Sequence, residues 1–203
     1  MVKKKYMIVT LVLILGIVGW FRYRNVETLE ARNALSSSAI RFHVLANSDS
    51  MEDQQLKMKV KDNVVDYIYK NTGDFDSLQE TKSFIIRNDK KIKQIANSTI
   101  KSLGYDYTIT SRFGSDTFPE KSYGDVVFPE GSYTSYTLSI GSGEGHNWWC
   151  VLYPPLCFVD ASTGVVPDSS KERLHESLTD KEYNSIIRYR FKYLTFLNKY
   201  LPE

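Results

Sequence analysis

The chain has 203 residues, a quarter of them charged, with 26 basic and 24 acidic side chains, enough for one globular domain with a proper core. The first 25 residues hold five of the basic groups and no acidic one; the remainder carries 21 against 24, a net charge of −3. A mildly acidic domain without a basic stripe excludes DNA and RNA as partners, because phosphate neutralisation dominates that affinity.

At the amino terminus, Lys3, Lys4 and Lys5 precede an apolar run from Tyr6 to Phe21, closed by Arg22 and Arg24. The run is shorter than the roughly 20 residues of a membrane span and slightly longer than the about 7–15 of a signal-peptide core. Both readings export the rest of the chain, so residues 1–25 are expected to be a signal peptide or a membrane anchor. No small-x-small pair directly succeeds Phe21, which leaves cleavage open. The positive charges before the run favour a cytoplasmic amino terminus. Residues 26–38 read as a polar linker, and residues 39–203 as a single α+β domain.

From Ala39 to Ala46, Ile40, Phe42 and Val44 alternate with Arg41, His43 and Leu45, the period-two pattern of a half-buried strand. Asn47, Ser48, Asp49 and Ser50 make the turn. Ser50 with Asp53 resembles a capping box, with Asp in the place of the usual Glu. Leu56, Val60, Val64 and Ile68 then recur every four residues, with Lys57 and Lys61 away from that stripe, which predicts a helix from Met51 to Lys70. A second helical region starts after Asp76 or Ser77 and closes at Gly104, with Asn88-Asp89 able to cap a fresh start. Tyr105, Tyr107 and Ile109 alternate as a strand, followed by a glycine- and proline-punctuated loop from Phe113 to Gly131. Tyr136, Leu138 and Ile140, then Trp148 to Leu152 and Cys157 to Val159, read as further strands. Ser169 with Glu172 and Thr179 with Glu182 match the capping-box pattern. A final helix over Asp180–Tyr200 is apolar or aromatic on most of its circumference. The predicted class is α+β, a mostly antiparallel sheet with flanking helices.

His146, Cys150 and Asp160 raise the question of a thiol enzyme, but Cys150 sits in an extended apolar run that would raise its pKa. No two of the three histidines share a ligand spacing, which argues against a metal, and no phosphate loop is present. No catalytic residue, cofactor or small-molecule substrate is expected. Pro154-Pro155 lies between Cys150 and Cys157; a tight turn there would leave the sulfurs as diagonal neighbours, about 7–8 Å apart at the backbone. A looser loop would let them bond, and sequence leaves both open.

His43, Asn47, Ser48, Asp49, Asp53 and Gln54 are more polar groups than one helix cap needs. With His146, Asn147, Trp148 and Trp149 beside a glycine-rich loop, they form the predicted partner-binding set. Tryptophan and tyrosine concentrate binding energy at interfaces. The competing readings are a well-capped helix start for the first group and packed core for the tryptophans.

The strings Arg41–Ser50 and His146–Val151, with Ile40–Asp66, His146–Asp160 and Arg188–Tyr200 around them, resemble the stage II sporulation protein R family of endospore-forming bacteria. That resemblance implies a non-enzymatic signal made in the forespore and exported to the space between the forespore and mother-cell membranes. It implies as partner a membrane-embedded aspartic protease that processes the pro-sequence of sigma-E. The family brings no established catalytic residues to this chain. The alternative is an exported cell-wall hydrolase or glycan-binding domain, with 14 tyrosines and the Trp pair as sugar platforms.

Overall fold

A computed structural model describes residues 14–16, 19, 33–72, 77–157 and 166–187. In chain order its elements are β1 (Ile40–Leu45), α1 (Met51–Thr72), α2 (Leu78–Ser102), β2 (Ile109–Phe118), β3 (Lys121–Tyr123), β4 (Val126–Phe128), β5 (Gly131–Ile140), β6 (Asn147–Tyr153), α3 (Asp168–Ser177) and α4 (Asp180–Ile186). Four strands form one sheet in the order β2-β5-β1-β6, and β3 pairs with β4 in a separate hairpin.

The α+β class holds, but the sheet is mixed. β5 is antiparallel to β2, β6 is antiparallel to β1, and the central pair β1–β5 is parallel. Two helices and the strands β2 to β4 intervene between β1 and β5, and so long a connection lets the chain return in the same direction. Central placement also changes β1 itself. The expected half-buried strand is buried on both faces from Ile40 to Val44, because each face is covered.

On the first face, Phe42, Val44, Tyr136, Leu138, Cys150 and Leu152 pack against the apolar stripes of α1 and α2. On the second face, Phe118, Tyr133 and Val151 meet Leu35, the β3–β4 hairpin, Leu174, Leu178 and Ile186. Leu35 is fully buried, and residues 33–37 form a helical turn. The carboxyl end of the expected linker therefore contributes to this second core.

Boundaries differ from the sequence pattern where tertiary contacts outweigh it. Tyr105 and Tyr107 precede the strand, which runs from Ile109 through the predicted loop to Phe118; that loop also contains the β3–β4 hairpin. α2 passes through Asn88 without a break, and the Asn88 side chain, instead of capping a fresh start, donates through Nδ2 to the Phe84 carbonyl of the preceding turn (2.9 Å). Asp89 looks outward from the helix and accepts from Ser111 Oγ (2.5 Å) and Tyr136 Oη (2.9 Å). α3 begins at Asp168, so the predicted cap Ser169 lies inside its first turn and the cap position falls to Pro167, which has no polar side chain; Ser170 Oγ donates to the Pro155 carbonyl (3.0 Å). The Thr179–Glu182 capping box is present as expected. The final helix, however, ends at Ile186, and Ile187 turns extended to bridge Val126. The expected continuation over residues 188–200, and the strand over Phe158–Val159, lie outside the described residues. So does nearly all of the predicted amino-terminal span; among the described residues no helix is long and apolar enough to cross a membrane.

Candidate functional site

β1 ends at Leu45 and delivers the polar turn to the rim of the sheet. Ser50 caps α1, its Oγ accepting from the Asp53 amide (3.2 Å). The reciprocal half of the predicted box is absent. The Asp53 carboxylate turns inward and accepts from Asn47 Nδ2 (2.9 Å) and Ser48 Oγ (2.6 Å). Burial alone would raise the Asp53 pKa, but hydrogen bonds from Ser48, Asn47 and Tyr107 outweigh it and hold the carboxyl below its usual range. Gln54 donates to the Ser48 carbonyl (2.9 Å) and accepts from Lys57 Nζ (2.5 Å).

The helical pattern puts Lys57 on the solvated side of α1, and the structure corrects this. Lys57 is only 5 % exposed, because Nζ reaches across to the His146 carbonyl (2.8 Å). Burial lowers its pKa. Lys61, which the same pattern leaves in solvent, is buried and lies 4.7 Å above the Trp148 ring. Lysine stems commonly cover apolar surface this way.

The loop between β5 and β6 is bolted onto this turn from the other side. Asn47 Oδ1 accepts from the Ser142 amide (3.0 Å), and Ser142 Oγ donates to the Asn47 carbonyl (2.7 Å). The Gly145 amide donates to the Ala46 carbonyl (2.9 Å). Asp49 accepts from the His146 amide (2.5 Å) and also meets the His146 ring at Nδ1. Those bonds, the amide first, pull the Asp49 carboxyl below its ordinary pKa. Two glycines make the approach feasible. A Cβ on Gly145 would stand 2.2 Å from the Ser48 carbonyl oxygen, and Gly141, at φ +59°, would place one 2.2 Å from Asn47 Oδ1.

The turn and the loop, which lie about a hundred residues apart in sequence, are therefore one unit, as their shared polar chemistry leads one to expect. Their residues do not share one role. Asp49, His146 and Asn147 face solvent together with Met51, which is 72 % exposed. Asn47, Ser48 and Gln54 are half-buried, and Asp53 is buried; their polar groups are spent on internal bonds.

His43 is covered rather than displayed. Its ring stacks on Trp149 with centroids 3.8 Å apart, and Nε2 is buried with no partner among the described residues. The two tryptophans sit opposite consecutive residues of β1, Trp148 against Val44 and Trp149 against His43, so they point to opposite faces of the sheet. Trp148 joins the first core, while Trp149 joins the second and meets Phe118 edge-on at 4.8 Å. Each is half-buried, and they do not form a shared platform.

Sequence reasoning misses Ser142 and Lys57 as members of the unit. The three glycines of the loop mark the turn containing Ser142, but nothing local marks Lys57, whose acceptor belongs to a distant segment.

Cys150 and Cys157 are bonded, with their Cα atoms 5.1 Å apart. The tight-turn geometry does not apply: beyond the prolines, the Leu156 amide folds back onto the Val151 carbonyl (3.1 Å). The bond occupies both sulfurs, so while it stands neither cysteine offers a thiolate. No group of three or more His, Cys, Asp or Glu suited to a metal occurs among the described residues. What the arrangement presents is a rigid polar surface, preorganised by its internal hydrogen bonds, with an acidic group, an imidazole, an amide and a thioether facing outward.

A sequence profile for stage II sporulation protein R matches residues 36–163. The stage II sporulation protein R of Bacillus subtilis (strain 168) is 35% identical over 153 residues, which are 75% of this chain and 67% of that protein. No solved structure matches. The matched region contains β1, the interlocked turn and loop, and the disulfide, and on these matches the chain belongs to the stage II sporulation protein R family.

Proposed function

We propose that this chain is an exported sporulation signal that switches on a membrane-embedded aspartic protease, leading to processing of pro-sigma-E in the mother cell. Its place of action is the space between the forespore and mother-cell membranes, reached through the amino-terminal segment. The observation that carries the reading is the Asn47–Gln54 turn locked to the Ser142–Asn147 loop, in a member of a sporulation family. A surface held this rigidly loses little side-chain freedom on binding, which favours affinity.

Such a ligand activates only through tighter binding to the active form of its receptor. Moving a receptor from mostly inactive to mostly active takes about 5 kcal/mol of differential binding. A few desolvated contacts from Asp49, Met51, His146 and Asn147 are of the right order to supply it. The chain, the protease and its pro-sigma substrate, reconstituted in one membrane, test the reading. Asp49→Ala and His146→Ala, both exposed and folding normally, are expected to abolish substrate cleavage. Full cleavage with both variants would overturn this surface, and full cleavage without the chain would overturn the function.

A further inference from the structure

β2 is an edge strand whose two charged side chains, Arg112 and Asp116, pair with each other. It runs ten residues in unbroken register against β5, from Ile109 opposite Ile140 to Phe118 opposite Gly131. It contains no proline, lysine or bulge, the devices that normally blunt an edge. Its outer side has no hydrogen-bonded neighbour among the described residues.

The direction of its free groups is fixed by one bond. The Gly141 amide donates to the Thr108 carbonyl (2.9 Å), one step before the Ile109–Ile140 pair. Residues 110, 112, 114, 116 and 118 therefore aim their backbone groups at β5, and the odd residues aim theirs outward. A new antiparallel neighbour must then pair odd residues with odd.

Arg112 and Asp116 share one sheet face and pair with each other within the strand. To do so, Arg112 lies across Gly114, where a Cβ would come within 2.8 Å of Nη1. Set a second β2 antiparallel beside the first, with its two-fold axis at Gly114. Phe113 then opposes Ser115 and Ser111 opposes Thr117, which satisfies the odd-to-odd rule. In that same register Arg112 of each copy faces Asp116 of the other, twice. A shift by one step either way along the allowed registers loses both ion pairs.

We infer that this protein dimerises edge to edge through β2, its two four-stranded sheets joining into one of eight, with Gly114 on the axis and Arg112–Asp116 exchanged between copies. The small residue at the axis lets the strands approach. The exchange replaces the two internal ion pairs, one in each copy, by two intermolecular ones, so the gain comes from the outward amides and carbonyls of β2, which find partners.

The test uses the full chain in detergent. Wild type is expected to sediment at twice its 23.4 kDa. Arg112→Asp sets like charges opposite each other twice and raises the dissociation constant about tenfold; adding Asp116→Arg restores pairing. Gly114→Cys places two thiols at a non-hydrogen-bonded pair, about 4.5 Å between Cα atoms, within disulfide range. It cross-links on oxidation, whereas Thr110→Cys does not, its two copies lying about 27 Å apart along the strands. A monomeric wild type, a dimer indifferent to Arg112→Asp, or equal cross-linking from both cysteine variants would overturn the assignment.

Discussion

Two charged side chains leave solvent at opposite ends of β1, and different forces house them. Arg41, 0 % exposed, has its guanidinium carbon 4.5, 5.0 and 5.2 Å from the ring centroids of Phe118, Tyr133 and Phe128. Among the described residues it makes one hydrogen bond, to Tyr123 Oη (3.3 Å), and its Nε and Nη1 have none. No carboxylate pairs with it among the described residues, and burial lowers its pKa despite the nearby phenols of Tyr123 and Tyr133. Asp53, 4 % exposed, is held by directed hydrogen bonds from the turn it organises and from Tyr107. A cation enclosed by rings is held by bulk, dispersion and the aromatic quadrupole; a carboxylate in a polar turn is held by geometry. The first should tolerate a change of charge and suffer from a loss of volume, and the second should do the reverse.

The largest expected effect tests the cation. Arg41→Ala empties the space between three rings and should cost about 3–5 kcal/mol in urea unfolding. Arg41→Met, which keeps the volume and removes the buried charge, should fall within about 1 kcal/mol of wild type or above it. A methionine as harmful as alanine would erase the distinction.

For the carboxylate the volume is minor and the acceptor is everything. Asp53→Ala should cost about 2–3 kcal/mol by stranding the Asn47 and Ser48 donors, and Asp53→Asn, which retains one acceptor oxygen, about half as much. Unfolding curves for the two variants measured side by side decide this, with equal losses counting against the hydrogen-bonded account.

Acidity separates the regions next. The Asp53 carboxyl sits below its unfolded value of about 3.9, so its contribution is present above that pH and lost as pH falls through the folded pKa. His43 lies on the Arg41 face, and burial depresses its pKa as well, against a bond it donates to Asn147 and the charge of Asp116. The unfolded chain then takes up the proton first, so His43 withdraws stability as pH drops from about 6.5 toward its folded pKa. Melting temperature should fall in two stages on acidification. His43→Gln should remove the upper stage alone; its persistence would reassign that stage to another group. The smallest effect on stability belongs to Asp49→Ala, whose side chain is exposed. Its thermal melt should overlay that of wild type while its signalling is lost.

Whether a residue's place is legible in the sequence depends on whether its environment is local. α1 can be read nearly to its ends, since Leu56, Val60, Val64 and Ile68 report one buried face and Ser50 caps it in the next turn. The Thr179 box is legible for the same reason. β2 is not, because an edge strand needs no alternating apolar face; Gly114 and its polar neighbours imitate a loop. Arg41 and Lys57 take outward-facing positions in the local pattern, which carries no sign of what covers them. The union of the Asn47–Gln54 turn with the His146 loop is foreshadowed by residue chemistry, but the division between displayed and buried members is not.

By itself the sequence determined the α+β class, the helical stripes, the polar turn and the family, all properties written in short periodic or contiguous strings. Tertiary structure alone decided that β1 and β5 run parallel, that His43 lies beneath Trp149, that Arg41 is enclosed by rings, and that Cys150 meets Cys157. Each of those depends on which distant segments share a sheet. That choice is made by the total burial and hydrogen bonding of the whole chain, a sum to which no single stretch of sequence holds the terms.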